Sequence, residues 1–147
     1  MPPCTPHAGG TMRRTTILLA TCLLLTGAAV GCSNADDKAK ECAAALTDRT
    51  GGDPADKPTV SEAEERVDAL DETLADMVRS GYETVANDAF ETLEGQMQQG
   101  KSSRPEACDG LSEDDYTSLL TAKAIDGLGW TDEDGKFDKL KMAKGLD

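Results

Sequence analysis

The sequence predicts an all-α fold, a small helical bundle with one disulfide, preceded by a cleaved signal peptide and a short tether. Three observations carry this. Val60, Ala63, Val67, Leu70, Leu74 and Met77 recur with 3, 4, 3, 4, 3 spacing, which lays one apolar stripe along a helix of period 3.6. Gly and Pro interrupt the chain at 50–59 and 101–110, where neither helix nor stripe can continue. The N-terminal part runs in the order of an export signal: basic Arg13 and Arg14, apolar Ile17 to Leu25, then small residues up to Cys32.

The leader's apolar run through Gly31 is roughly 15 residues, short of the about 20 that span a bilayer as a permanent helix, so cleavage is favoured over retention. Met12 opens M-R-R-T-T-I-L and is the expected start, because Met1 to Thr11 looks like neither signal nor domain. The paired arginines lack the rest of a twin-arginine motif, which favours general secretion.

Ala29, Val30, Gly31 and Cys32 resemble the lipobox of bacterial lipoproteins, with Ala29 standing where that family prefers Leu. The resemblance implies alkylation of the Cys32 thiol by diacylglycerol, cleavage just before it, and acylation of the new amino group. Two acyl chains anchor durably where one binds only marginally. The expected location is therefore the cell membrane, lipid-anchored on the extracytoplasmic side. The expected divisions are an N-terminal extension and signal peptide over 1–31, a lipidated tether over 32–37 and a helical domain over 38–147.

Residues 1–31 hold two arginines and no acid, so their removal leaves 116 residues with 13 basic and 28 acidic side chains, a charge of −15. That length fits one domain. The acidity argues against nucleic acid and anionic headgroups as partners, since both require a basic face. Only five aromatic residues are present, Tyr82, Phe90, Tyr116, Trp130 and Phe137, so the core must be thin and built from Leu, Val, Ala and Met. A thin exported core is commonly helped by a disulfide. Cys4 and Cys22 leave with the signal and Cys32 takes the lipid, which leaves Cys42 and Cys108 as the pair.

Each element then has its own signal. In Asp36 to Arg49, Ala39, Cys42, Ala43 and Leu46 share one face of a short helix, and Thr50 to Thr59 follows as a mobile loop. The helix over Val60 to Met77 opens with Ser61 and Glu64 as an S-x-x-E capping box. Its stripe is expected to face the bundle interior. An intermolecular seam, in which Arg66 would meet Asp71 of a parallel copy, is disfavoured because the stripe runs under about three heptads. Tyr82, Val85, Ala86, Ala89, Phe90, Leu93 and Met97 define the next apolar face, ending at Gly100. Gly81 either turns the chain or sits inside one long helix. A turn is favoured, since a helix of about 40 residues would extend roughly 60 Å.

Leu111 and Ser112 read as staple and N-cap for a helix from Glu113 to about Gly127, with Tyr116, Leu119, Leu120 and Ala124 inward. A last short helix carries Phe137, Leu140 and Ala143 at helical spacing and packs by Trp130. R-P-E-A-C-D-G-L at Arg104 to Leu111, with E-C-A-A-A-L upstream at Glu41 to Leu46, resembles short uncharacterised lipoproteins of actinobacteria. That resemblance implies no activity.

Catalytic and metal chemistry finds little support. The single histidine, His7, precedes the signal, which excludes Ser-His-Asp and Cys-His catalysis and histidine-bearing zinc motifs from the mature chain. Thr131 to Asp138 contains D-E-D-G, but aligning Gly135 with an EF-hand glycine puts Trp130 and Lys141 at two required acidic ligand positions. A polar turn is expected there, with no metal and no cofactor. The expectation is a monomeric, non-enzymatic, lipid-anchored protein acting through protein contacts, with a basic face on any partner. The alternatives are a small extracytoplasmic enzyme and a small-ligand binding subunit.

Overall fold

The computed structural model describes residues 33–146, so Cys32 and the signal over 1–31 lie outside the described residues. It is an α-helical bundle: α1 (Ser33–Thr50), α2 (Val60–Arg79), α3 (Glu83–Lys101), α4 (Glu113–Gly127) and α5 (Lys139–Gly145), with a 3-10 turn at Glu106–Cys108. Among the described residues the only extended pairing is an isolated antiparallel bridge between Thr131 and Phe137.

The bundle is built around α4, against which α1, α2 and α3 all pack. Its expected inward residues, Tyr116, Leu119, Leu120 and Ala124, are buried, and so is every residue from Leu119 to Asp126. A helix enclosed on three sides has no solvated face over its middle turns, which explains why α4 lacks a clear stripe. Its entry is as expected, with Ser112 Oγ accepting from Asp115 N at 3.1 Å.

One apolar cluster joins Ala39, Cys42, Ala43 and Leu46 of α1 to Tyr116, Leu119 and Leu120. The other joins Leu70, Ala89, Leu93, Ile125, Trp130 and Met142, and Met97 packs against both. Cys42 and Cys108, both fully buried, form the disulfide across 66 positions and tie α1 to the 3-10 turn. Arg104 holds the same loop: its guanidinium donates to Cys108 O at 2.8 Å and Leu111 O at 2.6 Å and lies 4.5 Å above the Tyr116 ring.

Several local expectations are corrected. Helix α1 begins at Ser33, three residues before the expected Asp36, with Asn34 to Lys38 exposed and Ala39 a buried residue. Alanine, lysine and a first-turn aspartate all favour this extension. The capping box of α2 is Thr59 with Glu62, two residues before the expected Ser61 and Glu64. Thr59 Oγ1 accepts from Glu62 N at 3.3 Å, and Glu62 Oε2 accepts from Thr59 N at 2.8 Å. Both tetrapeptides match the pattern, but Val60 packs against the core and must lie inside the helix.

The chain turns at Gly81, as favoured. Gly81 has φ +86°, and the Tyr82 and Gly81 amides close back on Met77 O and Val78 O at 2.8 and 3.1 Å. A left-handed residue ending a helix in this way is glycine's role. Tyr82 and Phe90, expected on the inner face of α3, are 62% and 57% exposed. The stripe that meets α4 is Ala86, Ala89 and Leu93, and Phe90 lies one position, about 100°, around the helix from Ala89. In α5 the buried residue is Met142, whereas Leu140 is 66% exposed and Ala143 is exposed. Asp138 caps the helix through Leu140 N and Lys141 N, and that start points Met142 inward toward Trp130.

Candidate functional site

The loop expected to be mobile, over Thr50 to Thr59, is tied down by charges buried beneath it. Lys123, fully buried on α4, donates from Nζ to Asp126 Oδ2 at 2.6 Å, Asp56 O at 3.0 Å and Asp53 O at 3.2 Å. Asp126, one helical turn later, also accepts from Asp53 N at 2.9 Å and from Thr131 Oγ1 at 3.0 Å. The K-x-x-D spacing thus puts both charges on one side of α4, where they bind the loop before α2 and Thr131 in the segment after α4.

Arg66 joins them from α2. It lies on the buried flank of α2, where it is turned to Asp56 of its own chain and not to an exposed seam. It forms a two-pronged ion pair with Asp56, Nη1 to Oδ2 at 2.8 Å and Nη2 to Oδ1 at 3.0 Å, and donates to Ala122 O at 3.1 Å. Burial acts to raise the Asp56 pKa. The Arg66 hydrogen bonds and charge, with Lys123 beyond, outweigh it and hold the carboxyl below its ordinary value. The hairpin over 131–138 closes on the pair at Gly135, whose φ is +75°. A Cβ there would fall 2.8 Å from Asp56 Oδ1 and 3.0 Å from Arg66 Nη2. The hairpin tip is a polar turn, in which Asp132 Oδ1 accepts from Asp134 N and Lys136 N at 3.0 and 2.8 Å.

Above this network, between the 53–58 loop, α2 and the hairpin, opens a cleft of about 710 Å³. Eight carboxylate side chains line it against Lys57, Arg66 and Lys136, so it disfavours anions. Among the described residues no group of three or more His, Cys, Asp or Glu is disposed to hold a metal ion. The floor groups Arg66, Asp56, Lys123 and Asp126 bind one another, which suits them to holding the loop and hairpin in place rather than to proton transfer.

A second concavity lies on the opposite flank of α2, against α3. It measures about 260 Å³ and is apolar inside, with Leu70, Leu74, Leu93 and Met97 as floor and walls. Phe90 stands at its lip, and Asp71, Glu94 and Lys101 form the rim.

Of the residues expected to carry function, Cys42 and Cys108 are brought together as a disulfide, and Cys32 lies outside the described residues. Asp56, Arg66, Lys123 and Asp126 were missed. The available signal was a lysine and an aspartate three apart in L-L-T-A-K-A-I-D, an otherwise apolar helical run. Such charges are almost never fully buried unless paired. No protein-family model, curated protein or solved structure matches this chain.

Proposed function

We propose that this chain is a lipid-anchored extracytoplasmic helical protein that acts through protein contacts and catalyses no reaction. The anchor reading rests on the order of Arg13 and Arg14, the apolar run and Ala29 to Cys32. The non-catalytic reading rests on one observation: the buried charges beneath the cleft are committed to each other and to backbone groups of the loop. Catalytic acids and bases need a reactive atom within hydrogen-bond reach of substrate, and the carboxylates of Asp56 and Asp126 and the Lys123 amine instead bind one another, Arg66 and the loop.

The cleft favours one second reading, a subunit that binds a small cationic ligand, because carboxylates dominate its lining. Chemical cross-linking on intact cells, followed by purification and mass spectrometry, separates the two. A stoichiometric protein partner is the expected result, and a retained small cation with no protein partner would replace it with the second reading. Fractionation beside Cys32→Ala tests the anchor. Unacylated wild-type protein in the culture medium would overturn it.

A further inference from the structure

We infer that the apolar groove between α2 and α3 is a docking site for a basic amphipathic helix. The inference deepens the protein-contact reading and rests on it. Its first support is the unusual composition of this flank. In a chain with five aromatic residues, Phe90 stands 57% exposed at the groove lip and Tyr82 is 62% exposed at the turn that ends α2, where Val78 is also 49% exposed. Val78 shares a helical flank with Leu74 and Asp71, at i+4 and i+7 from them, so the exposed apolar line continues from the groove toward the turn. Grouped apolar exposure rimmed by polar residues marks interaction surfaces.

The second support is shape. Two helices joined by the Gly81 turn flank a floor that Thr121 of the buried α4 completes. A groove between paired helices accepts side chains spaced at i, i+3 or i+4 and i+7 of a third helix. Leu70 and Leu93 already belong to the core, so the groove is preformed and a ligand would fill it without rearranging the bundle.

Charge chooses the occupant. Glu64 and Asp71 are exposed on the groove flank of α2, and Glu83 and Glu94 on that of α3, at i−7 and i+4 from Phe90. Lys101 is the one base on the rim. A partner carrying Lys or Arg beside its apolar stripe would meet carboxylates on both sides, which favours its encounter and fixes its orientation. A second copy of this chain would bring the same acidic rim and a net charge of −13, so self-pairing is disfavoured.

The test uses the full chain as the cell makes it, recovered from membrane or medium, so that failure of the anchor leaves the result interpretable. The probe is a synthetic helix with Leu at i, i+3, i+4 and i+7, Lys elsewhere and one photoreactive Leu. A scrambled peptide of the same composition serves as control. Cross-links are expected at Leu74, Phe90 and Met97, with at least tenfold weaker binding of the probe to Phe90→Asp and severalfold weaker binding to Asp71→Asn/Glu94→Gln. Val78→Asp provides an independent exposed change should Phe90→Asp fail to fold. Equal binding of the scrambled peptide, cross-links scattered over the acidic surface, or undiminished binding to the folded variants would overturn the inference. So would a groove occupied by a second copy, by residues 17–25 of the same chain, or by a co-purifying acyl chain.

Discussion

The two flanks of α2 solve opposite problems with the same helix. On one, Arg66 is buried and its charge is neutralised by Asp56, with Lys123 and Asp126 paired beside them beneath the 710 Å³ cleft. On the other, Leu74 and Phe90 leave apolar surface open above Leu70 and Leu93. Polar groups that are paired with one another hold segments in register and gain little from further ligands, and here Arg66 Nε alone is left without a partner among the described residues. Apolar surface left in water gains from any partner that covers it. On the proposed reading, the cleft side serves architecture and the groove side recognition.

That assignment can be broken most forcefully at the groove floor. Leu70→Asp places a carboxylate at a site 2% exposed with apolar neighbours, and the variant should be unfolded by circular dichroism. A folded variant that loses only a partner would mean that α2 is a seam and not a core helix.

On the opposite flank, Lys123→Met should destabilise the protein by about 3 to 5 kcal/mol in urea unfolding, because Asp126 and two loop carbonyls lose their buried donor. A loss under about 1 kcal/mol would show that the charged set is dispensable to the fold and free for another role. Disulfide reduction frees α1 from the 3-10 turn that precedes α4. The chain-entropy model gives roughly 4 kcal/mol for a loop of 66 positions, so reduced protein should melt at much lower temperature. Two free thiols in non-reduced protein would remove the pairing.

Acid acts on the charged flank through Asp56. The Asp56 carboxyl is depressed below its ordinary value of 3.8, so its contribution to stability is complete above that value and is lost as pH falls through the lower folded value. Stability should drop below about pH 4. Asp56→Asn, which should cost about 2 to 3 kcal/mol at neutral pH, should flatten that limb of the stability curve. An unchanged limb would place the acid sensitivity elsewhere. Smallest of all, Phe90→Ser should change stability by about 0.5 kcal/mol or less, as exposed positions do. A larger loss would make Phe90 a packing residue and weaken the docking assignment.

Much of the fold was legible because helix signals are local. The α2 stripe, the Gly81 turn, the Ser112 cap and the closing helix near Trp130 each depend on residues within a turn or two of one another. The Cys42–Cys108 pair was legible by elimination. Errors arose where two local patterns competed or where one position of rotation decided burial. Thr59 and Ser61 both head an acceptable capping box, and Phe90 lies one step from the stripe that α4 covers.

By itself, then, the sequence determined the helices, their order, the disulfide and an acidic exterior, since spacing, punctuation and composition act along the chain. Only the tertiary structure decided which charges are interior and which apolar residues are exposed. Arg66 and Lys123 look like surface residues until α4 is enclosed on three sides and Asp56 arrives from a loop ten positions before Arg66. Burial of a charge depends on a partner supplied by another segment, and exposure of Phe90 depends on how far the neighbouring helix reaches. Neither quantity is a property of local sequence.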